Sequence, residues 1–158
     1  PRPSSRIIYE LHVKGFTQRH PAKPEAMRGT MAGLAHPSAI AHLVNLGITT
    51  VELMPLAAYT GERGWGNDGV ALFAPHAPYG TPDELARFVD AAHAVGLSVL
   101  LDVVYNHFGP SGNYLAAYSS SYFCEGVHNA WGNQPNFEDP VLRELVLENA
   151  RYLSLIHI

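Results

Sequence analysis

Polar side chains set inside apolar runs are where this chain could do chemistry. Asp102 sits within LLDVVYNH, followed closely by Asn106 and His107. Burying a lone carboxylate costs several kcal/mol unless it is paired or hydrogen-bonded. Asp102 therefore either faces a polar site at the end of its segment or pairs with a buried cation, and carboxylates in such surroundings mark functional sites. His107 suits a structural hydrogen bond as well as a ligand. Glu52 in VELMP and Glu10 in YELHV are similar strand carboxylates. For these two, a salt bridge inside the sheet explains the residue better than direct catalysis. Trp65, Trp131, Tyr79 and Tyr114 lie in irregular stretches. Their aromatic faces suit the apolar C–H face of a sugar ring, and they suit plain packing too. The chain has no GxGxxG, Walker A, GxSxG or HExxH sequence, and its nine histidines are scattered.

The elements that must position these residues alternate between strand and helix. Ile7 to Val13 (IIYELHV) reads as a strand. Gln18 to Leu34 is punctuated by Pro and Gly and reads as a loop. A helix is predicted from Ser38 to Leu46, with Ile40, Leu43, Val44 and Leu46 on its apolar face and Gly47 just past its end. Thr49 to Met54 is a strand stopped by Pro55, and Ala58 to Pro82 a Gly- and Pro-rich loop. The next helix carries the clearest start signal: Thr81 as N-cap, Pro82 at N1 and Glu84 at N3, a capping box. Leu85, Phe88, Val89 and Ala92 form its buried stripe, and Gly96 ends it. Leu97 to Tyr105 is almost continuously apolar, as in strands covered on both faces. A long irregular segment leads to about Glu138. The last helix runs from Pro140 to about Tyr152, with Asp139 as N-cap and Leu142, Leu145, Val146 and Ala150 as its apolar side.

Three successive βα units imply a parallel sheet with right-handed crossovers. Two architectures fit, a doubly wound open sheet or part of a (β/α)8 barrel, and both bind ligands at the carboxyl ends of their strands. Composition narrows the classes further. At 158 residues, 47% hydrophobic and 15% charged, the chain can bury a core and is not a disordered segment. A net charge of -4 without a Lys/Arg cluster speaks against nucleic-acid partners. No apolar run approaches the ~18 residues of a membrane span. Pro1 to Ser5 lack the apolar stretch of a signal peptide, and the chain lacks an initiator Met, so it is expected to begin inside a longer one. The single cysteine, Cys124, requires no oxidising compartment.

The run DVVYNHFGPSGNYL, Asp102 to Leu115, resembles the first conserved region of the α-amylase family, glycoside hydrolase family 13. Gly64 to Pro110 is most similar to its maltooligosyltrehalose trehalohydrolase branch, and Tyr9 to Leu56 to the isoamylase-type glycogen debranching enzymes. The resemblance covers Ile7 to Leu153. It implies a partial (β/α)8 barrel: residues 1–105 as its first part, 106–138 as the long loop that begins an inserted B domain, and 139–153 as the third barrel helix. It implies that His107 hydrogen-bonds sugar hydroxyls next to the cleaved bond, and that Asp102 orients an arginine of strand four. Trp65 and Asp68 fall in the loop lining that subsite, and Asn67 stands where most relatives carry a tyrosine that stacks on the sugar. Tyr105 and Glu52 are read as supporting residues. Asn106 matches a calcium ligand of calcium-dependent relatives, although the branches nearest this chain generally lack that ion. No metal or cofactor is expected.

Glycoside hydrolysis needs two carboxylates flanking one bond, and no pair here fits both roles. By the resemblance, the nucleophile, the acid/base and the third carboxylate follow strands four, five and seven, so none of the catalytic residues lies in this chain. The expected parent is a cytoplasmic retaining hydrolase acting on an α-1,4-glucan or maltooligosyl-trehalose, with trehalose release favoured over glycogen α-1,6 debranching or branching, and with no nucleic-acid or membrane partner. In relatives the final helix continues into a charged turn and a G-x-R-x-D strand. Ser154 to Ile158 replace these here and are expected to be non-native. Two other readings follow from the chain's length: an inert, poorly soluble or molten fragment, or a complete small binding domain of flavodoxin type.

Overall fold

The computed structural model describes residues 6–21 and 24–156. Pro1 to Ser5, and His157 and Ile158 of the suspected tail, lie outside the described residues.

Strand β1 (Ile8–Leu11) opens the fold and is shorter than the sequence suggests. Val13 is not strand but the first residue of a short helix, α1 (Val13–Thr17). His12 caps that helix, its side chain accepting a hydrogen bond from the Gly15 N–H. The expected loop after it holds a 3-10 turn at Glu25–Met27 and a helix, α2 (Met31–Ala35), capped by Thr30. Helix α3 (Pro37–Asn45) buries Ala39, Ile40 and Leu43. Those three residues set the centre of its stripe, so Val44 falls on the flank and Leu46 on the cap, and both are exposed.

Strand β2 (Thr50–Leu53) follows. The stretch expected to be loop after it forms an antiparallel pair, β3 (Ala57–Ala58) with β4 (Ala71–Pro75). Helix α4 (Pro82–Ala94) starts with the capping box: Thr81 and Glu84 bond each other's backbone N–H. All four residues of its expected stripe are buried. Strand β5 (Ser98–Leu101) completes a parallel sheet in the order β1-β2-β5. That order excludes the flavodoxin arrangement, in which the first strand lies between the second and third.

The long segment after β5 is structured as well. It contains α5 (Leu115–Tyr118), a 3-10 turn and the hairpin β6 (Phe123–Asn129) with β7 (Gly132–Pro135). Helix α6 (Pro140–Ile156) ends the fold and runs beyond the expected Tyr152. The Asp139 carboxylate accepts from the N–H groups of Val141 and Leu142, at 2.9 and 3.1 Å. The Ser121 hydroxyl donates to the same side chain, and these bonds hold its pKa below the usual carboxylate range. Ala150, expected on the apolar side, is exposed; Asn149 takes the buried position instead.

The core fills one face of the sheet. Leu11, Val51 and Leu53 pack there with Met31, Leu34, Leu43, Leu85, Phe88 and Val89 of the helices. The opposite face has no such cover. Strand β5, expected to be buried on both faces, is only half covered, and Leu100 stays 40% exposed. Among the described residues it pairs with β2 on one side only.

Candidate active-site cleft

The uncovered face carries its side chains in rows fixed by the ladder register. Ile8, Thr50 and Ser98 make one row; Glu10, Glu52 and Leu100 make the next. The ladder continues past the strands, since Met54 N–H donates to the Leu11 carbonyl at 3.0 Å and Asp102 N–H to the Leu53 carbonyl at 2.9 Å. Strand alternation then puts His12, Met54 and Asp102 in a third row at the carboxyl end. A cleft opens there, lined by Glu10, His12, Lys14, Met54, Trp65, Asn67 and Asp102.

Asp102 is thus a mouth residue and not a buried one. It is exposed, and its Oδ1 accepts from the Val103 N–H at 2.9 Å. No buried cation pairs with it among the described residues. Neither do Glu10 and Glu52 form the expected salt bridges, since no ion pair among the described residues includes them. Glu10 is exposed and Glu52 half-buried, so water reaches what a cation was expected to neutralise.

Trp65 stands 75% exposed at the rim. Its loop is seated on the end of β2: Gly66 has φ of 92° and packs against the Pro55 carbonyl, where a Cβ would collide with the oxygen. Asn67 lines the cleft, but Asp68 does not. The Asp68 carbonyl instead abuts Gly109, whose N–H donates to the Gly69 carbonyl at 3.1 Å. This contact knits the loop after β2 to the segment after β5.

His107 lies outside the cleft lining and is 5% exposed. Its Nδ1–H donates to the Asn106 Oδ1 at 3.1 Å, and its buried Nε2 has no partner. The ring stacks on Trp131 with centroids 5.6 Å apart. The Asn106 carbonyl accepts from the Asn129 side chain at 2.6 Å, which ties the hairpin β6–β7 to this point. Tyr105 is half-buried, and its hydroxyl donates to Asn149 Oδ1 at 2.7 Å. Burial raises its pKa. The Asn149 amide in turn donates to the Leu72 carbonyl at 2.8 Å.

Of the loop aromatics, Trp131 and Tyr114 are exposed, but Tyr79 is a correction: it is 1% exposed and belongs to a buried aromatic cluster with Tyr59 and His76. Sequence reasoning missed His12, Lys14 and Asn149. A polar residue on the otherwise apolar side of α6 was the available signal for Asn149. Among the described residues no three His, Cys, Asp or Glu side chains converge on one point, and no helix is long and apolar enough to cross a membrane.

A parallel sheet with a polar cleft at its carboxyl end leads to the family. The family model described as alpha amylase, catalytic domain, matches residues 13–137. The chain belongs to the alpha-amylase catalytic-domain family. Its fold is accordingly part of a (β/α)8 barrel, with β1, β2 and β5 as the first three barrel strands. The malto-oligosyltrehalose trehalohydrolase of Deinococcus radiodurans is 50% identical over 145 residues, spanning 92% of this chain and 22% of that protein. A glycogen operon protein GlgX homolog of Mycobacterium bovis is 36% identical over 176 residues, spanning 92% and 24%. A crystal structure from Salmonella typhimurium described as an alpha amylase superposes with a TM-score of 0.87 at 41% identity, covering 99% of this chain and 25% of that one. The chain thus spans about a quarter of the length of the proteins it matches.

Proposed function

We propose that this chain is the opening part of the catalytic barrel of a retaining α-glucan hydrolase that releases trehalose from maltooligosyl-trehalose. The observation that carries the reading is the 50% identity to a trehalohydrolase over nearly the whole chain, against 36% to the GlgX homolog. Glycogen α-1,6 debranching is the second reading, favoured by the similarity of Tyr9 to Leu56 to that branch.

In this reading a carboxylate attacks the anomeric carbon while a protonated glutamate releases the leaving oxygen, and water then resolves the covalent intermediate. Those groups would come from later strands. What this chain supplies is one wall of the substrate cleft. Trp65 offers an open ring at the rim, and Asn67 offers an amide where a stacking tyrosine stands in most relatives. Asp102 lies at the mouth with its second carboxylate oxygen free to orient a basic side chain of the next strand. His107, which the family resemblance would set against a sugar hydroxyl, lies buried behind this wall with its Nε2 unpartnered and Asn106 fixing the ring's tautomer. Tyr105 and Glu52 support this wall. Residues 106–138 would begin the inserted B domain. A cytoplasmic enzyme without a nucleic-acid or membrane partner fits the single cysteine and the mild net charge.

The test is the product of the gene that encodes this segment, assayed on maltooligosyl-trehalose and on glycogen. Free trehalose from the first substrate is expected. Linear maltooligosaccharides from glycogen, with no trehalose from the first, would replace this reading with the second.

A further inference from the structure

The Trp65 loop is held from below by a helix of five residues that neither the motif nor the fold explains. His12 Nδ1 accepts from the Gly15 N–H at 3.0 Å. A nitrogen that accepts carries no proton, so in the neutral ring the proton sits on Nε2. That N–H lies 2.9 Å from the Gly64 carbonyl oxygen and 3.0 Å from the Tyr79 hydroxyl oxygen. Tyr79 is then free to donate to Tyr59 at 3.0 Å, and Tyr59 to donate to the Gly64 carbonyl at 3.3 Å. The network therefore converges on one carbonyl. Two residues along α1, Lys14 Nζ donates to the Glu62 carbonyl at 2.9 Å. Gly64 fits because it is small: a Cβ there would press on the Tyr59 ring at 2.8 Å.

We propose that His12 and Lys14 are positioning residues of the cleft. They fix the Glu62 and Gly64 carbonyls at the entrance of the loop, while Gly66 is seated on Pro55 beyond them. Trp65 is thereby held between two anchors, in the same cleft as Asp102. The assignment of a substrate role to that hold rests on the reading of Trp65 as a sugar-binding side chain.

The test uses the monomer of the 158-residue chain with Trp131→Phe, isolated by size exclusion because its open strand edges favour association, and this variant leaves Trp65 as its one tryptophan. Its fluorescence anisotropy is read without sugar in three variants. His12→Asn keeps a side-chain oxygen to cap α1, because Asn is a favoured N-cap residue, but is too short to reach Gly64. Lys14→Met removes the bond to Glu62 and the charge that acts on His76, at a half-buried position where misfolding is not expected. The third variant combines both. Loss of Trp65 anisotropy in each single variant, larger in the double one, with the far-UV spectrum unchanged, is the expected result. A loss in one alone assigns the hold to that residue. Unchanged anisotropy in all three overturns the proposal, and Lys14→Met decides it should the His12 variants fail to fold. Adding maltoheptaose to the Trp131→Phe chain and following Trp65 emission tests the sugar reading separately. Failure there with anisotropy lost in the variants removes the substrate role and leaves the mechanical hold.

Discussion

Replacing Tyr105 and Asn149 singly and together measures how the His107 segment is held. Asn149 is 1% exposed and makes two hydrogen bonds, accepting from the Tyr105 hydroxyl and donating to the Leu72 carbonyl. Tyr105→Phe leaves the Asn149 oxygen buried without a donor, which costs about 1–3 kcal/mol. Because Tyr105 itself is half-buried, the lower half of that range is expected. Asn149→Leu strands both the Tyr105 hydroxyl and the Leu72 carbonyl, at a cost of about 2–4 kcal/mol. In the double variant only the Leu72 carbonyl lacks its partner, so the sum of the single costs overshoots by about 2–4 kcal/mol. Amide hydrogen exchange across α6 and β4 is the assay, because it reads local opening without a two-state global transition. Protection in Tyr105→Phe should fall roughly tenfold, since about 1.4 kcal/mol is one decade. Additivity within about 0.3–0.5 kcal/mol would refute the reasoning, for it would mean that the two side chains do not act through each other.

Thr81→Ala removes half of the capping box of α4 and should cost about 1 kcal/mol, seen as lower amide protection in the first turn of that helix. Burial first, and then the charge of Lys14, hold the His76 pKa below its ordinary value near 6.5. The unfolded chain therefore takes up a proton before the folded one does. Stability should be full above about pH 6.5 and be lost as pH falls through the folded value, a trend in thermal midpoint that His76→Phe should flatten. The chain alone should not hydrolyse starch, glycogen or maltooligosyl-trehalose. Bare ladder edges on β1 and β5 should make it prone to associate, and glucan cleavage by purified 1–158 would contradict the assignment of its catalytic groups to later strands.

The features legible in the sequence were those with local causes. Thr81, Pro82 and Glu84 define a helix start within four residues, and the α4 stripe follows from a period of 3.6. Strand β1 is shorter than its sequence suggests because Val13 is β-branched and follows a strand, whereas its helix is capped by a histidine, a residue outside the usual N-cap set. The β3–β4 pair joins Ala57 to Pro75 across Gly-rich sequence with little strand propensity. Nothing local announces such a pairing. Trp65, Asn67 and Asp102 were legible as a group only through the family pattern, and His12 and Lys14 not at all, because what they bind is backbone some 50 residues away. Glu10 and Glu52 need no salt bridge, because the sheet's open face does not bury them.

The Asn149 bond to Leu72 spans 77 residues of sequence, and the bond to Tyr105 spans 44. Closing a loop costs entropy that grows slowly, about 0.6 kcal/mol per doubling of its length, so such contacts form after the local βα units have supplied a surface to close onto. During synthesis, the turn bearing Asn106 and His107 leaves the ribosome long before its clamp does. The turn bearing Asn106 and His107 is therefore made well before the contacts that fix it in place.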